Sequence, residues 1–518
     1  MELKQHKSEI TAWDGRWEHR LEIPVETELL IPDYLPAVFK IVKCLIEPVV
    51  LQNQVAAARW QGEGYLRCTV YYQSDEAGSH LYRAEQKFPF EKTLELPAGC
   101  YTEGPARLWG ELEYCNCRAV SEHRIDLRGA YALNVAVEAA EQTELLSELS
   151  GCGMEQRLLP MTGMKRAAAE EKILTAETTV ALSGLGETIL DIGGTLEVQS
   201  CTLQTGQVNC AGMLRVQVCY VPVGSEEVMV RSVEIPVRQT LEATEVQETD
   251  QSCCWGTVQG ATLAAGEQGD AVLTVNWKLH AEVWRSASYM AVADAYSTVC
   301  QTQTTMRELR LLQICEPLHE TVSVTVEDDL PDEGQSINEV RACFVTLAAP
   351  LPTLQHDEGE PQQTVLQGKG TAHLLCADER GELTCYDKAF LWRLPDDWPG
   401  APGEFVFHGQ AALTRVSSGK NGTKLRVDLE LSVTGLWLKT AQYTVVDAVE
   451  LGEEFPDRGD GPALYLYYPA PKERIFDIAK RYHARAKDLA AANHLEAETG
   501  SVQDLTTEAH CLLIPAAL

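Results

Sequence analysis

The sequence predicts a mainly β protein: three related, sandwich-like β-rich domains in tandem, then a small C-terminal α+β module of order βααβ. Three observations predict it. A strand-like segment recurs along the chain at intervals of roughly 150 residues. Each copy carries further segments that are apolar at every second position, as half-buried strands are. Beyond an acidic stretch rich in Gly and Pro, the apolar spacing changes to the three-and-four of an amphipathic helix. At 518 residues the chain also exceeds what one hydrophobic core organises.

The recurring segment reads Gly64-Tyr65-Leu66-Arg67-Cys68-Thr69-Val70-Tyr71-Tyr72 in the first copy and Gly212-Met213-Leu214-Arg215-Val216-Gln217-Val218-Cys219-Tyr220 in the second. A weaker third copy begins Gly370-Thr371-Ala372-His373-Leu374-Leu375-Cys376. Counting from the glycine, the even positions share one strand face and are apolar in each copy. Arg67 and Arg215 fall together on the other face, which predicts equivalent structural roles for them. A proline landmark follows, Phe88-Pro89-Phe90, Ile235-Pro236-Val237 and Leu394-Pro395, at 25, 24 and 25 residues after the glycines. Each copy then shows a last alternating strand around Leu133, Leu273 and Leu425. Residues 138–149 and 166–174 read as helical connectors between copies. The domains are accordingly expected at residues 1–150, 151–315 and 316–450.

Residues 451–463 are acidic and rich in Gly and Pro, the composition of a linker. Residues 464–518 form the last module. A short strand at 464–468 precedes a helix with Ile475, Ile478, Ala479 and Tyr482 on one face. A second helix at 486–493 buries Leu489 and Ala490, and a strand at 511–515 closes the unit.

Composition excludes several function classes. The 76 acidic against 43 basic residues give a net charge of −33, which repels nucleic acid and anionic lipid. No apolar run is long enough for a membrane helix, so an integral membrane protein is not expected. Charges at the start of the chain, Lys4, Lys7 and Glu9, stand where an export signal would be apolar, so the protein is expected to stay inside the cell. By the same argument Arg458-Gly459-Asp460 and Asn421-Gly422-Thr423 are not adhesion or glycosylation sites. The 17 cysteines include no CxxC pair and one CxC, Cys115-Asn116-Cys117. We read them as reduced core thiols and expect no metal framework.

No catalytic constellation is visible. Gly368-Lys369-Gly370 and Gly419-Lys420-Asn421 lack both the upstream glycine, replaced by Gln363 and Thr414, and the hydroxyl residue of a phosphate loop. With Gly334 sixth in a calcium-loop register, positions three and twelve are Pro331 and Val340, neither a side-chain ligand. A non-enzymatic protein without cofactor is therefore expected.

The C-terminal module resembles a LysM domain. Ile478-Ala479-Lys480-Arg481-Tyr482, Leu489 to Asn493 and Leu513-Ile514-Pro515 match that family's helices and closing strand. The resemblance implies ligand binding by the loops before the first helix and after the second, here Lys472, Glu473, Arg474, Ile475, Phe476, Asn493 and His494. The usual Gly-Asp-Thr-Leu-Trp is replaced by Lys472 to Phe476, which argues against glycan binding and for a protein ligand. Phe476 is then either a core residue or an exposed anchor for that partner.

The segment from Ile31 to Val42, the Gly-x-Leu-Arg strands and the Phe-Pro-Phe motif resemble SPOCS domains of endospore-forming Firmicutes. With the terminal LysM they resemble the SipL-like family of spore-morphogenesis proteins. The resemblance implies a scaffold or adaptor in the mother-cell cytoplasm, at the forespore surface. Its LysM domain would engage a SpoIVA-type coat morphogenetic ATPase during forespore encasement. It also leaves room for other coat proteins and for self-association through sheet edges. The alternatives are a peptidoglycan-binding protein of the cortex or wall and a coat protein that polymerises through its β domains.

Overall fold

A computed structural model describes residues 2–74, 81–99, 101–181, 188–222, 225, 228–265, 270–329, 337–355, 362–422, 424–456, 464–495, 506–507 and 511–515. It is mainly β, with two α-helices among the described residues. The strands fall into three successive units of like topology. The first comprises β1 (Lys4–Leu30), β2 (Lys40–Ala56), β3 (Arg59–Gln73), β4 (Leu81–Glu95), β5 (Arg107–Ser121) and β6 (Arg124–Ser150). Consecutive β2, β3 and β4 make a meander, and β1, β6 and β5 a second sheet with the long β6 at its centre.

The second unit repeats this with β7 (Met154–Ala181), β8 (Thr188–Gln204), β9 (Gln207–Val221), β10 (Met229–Glu242), β11 (Gln251–Ala265) and β12 (Asp270–Ser297). One bridge, Thr195 to Thr257, joins its two sheets into an order β10-β9-β8-β11-β12-β7. The third unit has β13 (Cys300–Asp329), β14 (Ile337–Leu347), β15 (Leu351–Gln355), β16 (Gln363–Asp378), β17 (Leu383–Pro399), β18 (Phe405–Asn421) and β19 (Lys424–Glu454). Here β16 is central, flanked by β14 and the added β15 on one side and β17 on the other, and β19 lies between β13 and β18.

The repeated glycine segments are the central strands β3, β9 and β16, and their burial follows their phase. Leu66, Cys68 and Val70, then Leu214, Val216 and Val218, then Ala372, Leu374 and Cys376 are all almost completely buried, each set in its own unit's core. A residue on the opposite face, Tyr71, Cys219 or Ala377, instead enters a cluster shared by all three units. Each central strand is therefore buried on both faces, one by its own sandwich and one by its neighbours. Pro89 and Pro236 sit on the edge strands β4 and β10, where a missing N–H disrupts no inner ladder.

The third proline does not belong with them. Gly64 faces Phe90, Gly212 faces Val237 and Gly370 faces Phe390, so Ala389 holds the place of Pro89 and Pro236. Pro395 lies further along β17, beside a register shift. The two arginines share a role in part. Arg67 pairs with Glu47 at 2.8 Å and Arg215 with Glu197 at 2.8 Å, each on the preceding strand. Arg67 alone also crosses to the second unit, donating to the Gln259 carbonyl at 3.2 Å.

Both expected helical connectors are strand. Residues 138–149 complete β6, and residues 166–174 lie within β7. The antiparallel pairs β1–β6, β7–β12 and β13–β19, each joining the first and last strands of a unit, extend past their sandwiches as two-stranded ribbons that pack on one another. Leu145 and Leu146, Ala291 and Val292, and Val445 and Val446 occupy matching places at this junction and are all buried. Burial against two other ribbons outweighs the helical propensity of this Ala-, Glu- and Leu-rich stretch. The border expected at 315/316 falls inside β13, and 451–454 of the expected linker belong to β19. Residues 457–463, with the Arg-Gly-Asp tripeptide, lie outside the described residues, as does most of the acidic stretch after Asp329.

In β18 and β19, Gly409 and Gly435 face each other beneath the Phe407 ring, and a Cβ on either would meet backbone atoms under 3 Å away. This close approach lets Phe407 and Trp437 pack in the third core.

Candidate functional site

The C-terminal module has β20 (Leu464–Tyr467), β21 (Glu473–Arg474), α1 (Ile475–Tyr482), α2 (Ala486–Ala492), β22 (Thr506–Thr507) and β23 (Leu512–Pro515). Strand β20 pairs with β23, setting Leu466 opposite Leu513. The inner face of this ribbon offers Tyr465 and Tyr467 to the Tyr482 ring, with centroids 5.6 and 5.7 Å away. Helix α1 buries Ile475, Phe476, Ile478 and Ala479, and α2 buries Ala486, Leu489 and Ala490. His483 ends α1 in the left-handed region, its N–H returning to the last turn. Asp477 in the first turn and Lys480 and Arg481 in the last suit the helix dipole.

The module is seated on the tip of the second unit's ribbon. Tyr296 of β12 belongs to the module's own core, 5.2 Å from the Phe476 ring and edge-on to it. Its hydroxyl donates to the Ala484 carbonyl at 2.7 Å. Lys480 pairs with Asp294 at 2.6 Å, and the Phe455 ring lies 4.1 Å from that of His483. Sequence reasoning missed Asp294, Tyr296 and Phe455, because nothing local in a strand reports what docks on its end.

The seven residues expected to bind a partner divide accordingly. Ile475 and Phe476 are fully buried, so Phe476 is a core residue and not a surface anchor. Glu473 is a latch, accepting from the Tyr467 hydroxyl at 2.9 Å and the Ala470 N–H at 3.0 Å and pairing with Arg481 at 3.1 Å. Burial would raise its carboxyl, but these partners hold it below the ordinary range. Arg474 pairs with Asp477 at 3.1 Å. Asn493 is structural too, donating to the Leu489 and Leu513 carbonyls and accepting from the Leu513 N–H. Lys472 and His494 are exposed, both at positive φ, 61° and 52°.

The module's open surface lies elsewhere. The outer face of β20 and β23 presents Leu464, Leu466 and Leu513, continued by Tyr468, with exposures of 48, 61, 40 and 73%. Four large apolar side chains on so small a fold make a patch of the kind that marks interaction surfaces.

Where the three ribbons leave their sandwiches, charges are buried. His408 of β18 places Nε2 2.7 Å from Glu138 of β6 and Nδ1 2.8 Å from Glu282 of β12. One residue comes from each unit. Trp284 donates to Glu282 at 3.3 Å, and its ring lies 5.1 Å from that of His408. Arg16, Arg107 and Arg166 line the same cavity, whose volume of about 20 Å³ admits roughly one water. Burial would lower the His408 pKa, but the two carboxylates raise it to about 9, and the imidazolium in turn outweighs burial to hold Glu282 down at about 2. A larger cleft of about 640 Å³ separates the first and second units. Its wall arginines are paired, Arg67 with Glu47 and Arg83 with Glu85. A third polar cluster brings Cys44 to the Cys115-Asn116-Cys117 segment.

The comparisons with known proteins bear on the first unit. Residues 37–120 match the family model SipL, SPOCS domain. The match runs from just before β2 almost to the end of β5, and it links the chain to sporulation. No curated protein matches the chain, and neither does any solved structure. Among the described residues no helix is long and apolar enough to cross a membrane.

Proposed function

We propose that this chain is a non-enzymatic scaffold of endospore coat assembly, whose LysM-type C-terminal module docks a SpoIVA-type coat morphogenetic ATPase at the forespore surface. The family match over residues 37–120 carries this reading. The geometry is consistent with it. Three β units pack about a common junction, and one of them holds the small module by its helical side with the apolar face of β20 and β23 left open. The docking surface is that face, flanked by the loop residues Lys472 and His494, and Phe476 supports it from within. A groove rebuilt with Lys472 to Phe476, the last two buried, leaves little of the sugar-binding loop of the LysM family.

The test uses the full chain, mixed separately with the ATPase and with insoluble peptidoglycan. Co-elution with the ATPase, weakened at least tenfold by Leu466→Glu together with Leu513→Glu, is expected; two charges on one apolar face abolish its desolvation gain. Retention by peptidoglycan alone would replace the adaptor with a wall- or cortex-binding protein. Undiminished ATPase binding by the double variant would move the docking surface off this face.

A further inference from the structure

We propose that the first unit holds one thiophilic d10 metal ion, Zn²⁺ or Cu⁺, on the thiolates of Cys44, Cys115 and Cys117. The three sulfur atoms lie within 4.8 Å of one another. Thiolates around an ion at a metal–sulfur distance of about 2.3 Å stand about 3.8–4.0 Å apart, so small side-chain rotations complete the site. Among the described residues no other three His, Cys, Asp or Glu side chains bring ligand atoms so close. The close pair Cys201 and Cys254, 2.8 Å apart, has Cys210 beside Cys254, but those three sulfurs do not converge within the same mutual distance.

The fold builds this convergence from two strands that meet only in three dimensions. On β5, residues 114, 116 and 118 are exposed while Cys115 and Cys117 turn inward, the period-two consequence of an extended chain. Cys44 faces them from β2, the edge of the other sheet. Opposite Cys115 in the ladder stands Gly129, and a Cβ there would meet the Ile46 side chain at 2.7 Å. The missing side chain lets Ile46, and with it Cys44, approach β5. All three cysteines are half-buried against the first core, dry enough to favour a coordinate bond and open enough for an ion to enter.

The donor set selects the ion. Three sulfurs with no carboxylate exclude the hard cations and suit a soft one, trigonal for Cu⁺ or with a fourth, exogenous ligand for Zn²⁺. Binding as thiolates displaces the thiol protons of the cluster to solvent, which makes loading pH-dependent. The ion would clip the two sheets together across their open edge, within the segment that matches the SPOCS family model.

The experiment loads the purified full chain, under a non-thiol reductant, with Zn²⁺ in one arm and Cu⁺ in the other. It follows metal content after desalting and the alkylation of each cysteine by mass spectrometry. One bound equivalent in either arm, with alkylation of Cys44, Cys115 and Cys117 slowed at least tenfold and that of the exposed Cys315 unchanged, is expected. Cys115→Ser should lose that equivalent and Cys315→Ser keep it. Because the wild-type protection pattern reads the site directly, misfolding of a variant does not blur the outcome. Equal alkylation with and without both metals would overturn the proposal, and so would a disulfide within the cluster that persists in reductant.

Discussion

Removing the His408 cation should loosen the three-unit junction far more than the loss of one ring explains. In the folded chain its two ring nitrogens lie 2.7 and 2.8 Å from carboxylate oxygens of Glu138 and Glu282, ion-pair distances at which both carboxylates favour the imidazolium. The rise of its pKa from 6.5 to about 9 corresponds to about 3 kcal/mol of preferential binding of the charged form. His408→Leu leaves two carboxylates beside each other in a buried site, balanced only by the more distant Arg16, Arg107 and Arg166, and should cost about 3–5 kcal/mol. Adding Glu138→Gln and Glu282→Gln removes those charges and should recover most of the loss, since neighbours in one network are not additive. The assay is hydrogen–deuterium exchange at the amides flanking residues 138, 282 and 408, where about 3 kcal/mol appears as roughly a hundredfold faster exchange. The pH dependence has a definite sign. A raised histidine pKa contributes fully below 6.5 and is lost as pH climbs through about 9, so the wild-type junction should weaken across that window and the triple variant should not. The depressed Glu282 contributes above 4.5 and is lost as pH falls toward about 2. Less than fivefold faster exchange in His408→Leu, or a triple variant less stable than the single one, would refute the reasoning.

Two further outcomes concern the C-terminal module. Lys472 holds a positive φ of 61° that costs a side-chain-bearing residue about 1–2 kcal/mol, so Lys472→Gly should gain roughly 0.5–1 kcal/mol after the entropy of glycine is subtracted, read as slower exchange of the α1 amides. Phe476→Glu deletes a fully buried ring from a core shared with Tyr296 and inserts a carboxylate, at a cost of at least 3–5 kcal/mol. It should abolish exchange protection in both helices, whereas Leu466→Glu should leave them folded.

The sandwiches were legible because an antiparallel strand with one face on its own core leaves a period-two trace, and Leu66, Leu214 and Ala372 carry it. The ribbons were not. Leu145, Leu146 and Leu149 are buried against other units, so neighbouring residues are apolar together and the pattern mimics a helix turn. The proline spacing misled because the β16–β17 hairpin is shorter than its counterparts: Gly370 faces Phe390, whereas Gly64 faces Phe90 and Gly212 faces Val237, so a fixed count from the glycine overshoots in the third unit. Within the module, the helix face Ile475, Ile478, Ala479 and Tyr482 was readable, and Phe476 is adjacent to it; only the approach of Tyr296 seals its burial. The Cys44 cluster and the His408 centre join residues from distant strands, which no local spacing records.

The ribbon tips differ in one respect that sets what the molecule can organise. At the places corresponding to Asp294 and Tyr296, the first unit has Glu148 and Ser150 and the third has Ala448 and Glu450. Only the middle tip supplies both an anion for Lys480 and a phenol for the Ala484 carbonyl. Like arms thus end in unlike addresses, and the module has one berth rather than three. The molecule is monovalent and polar by construction, so whatever binds the open face of β20 and β23 meets it in a single orientation relative to the three-unit body.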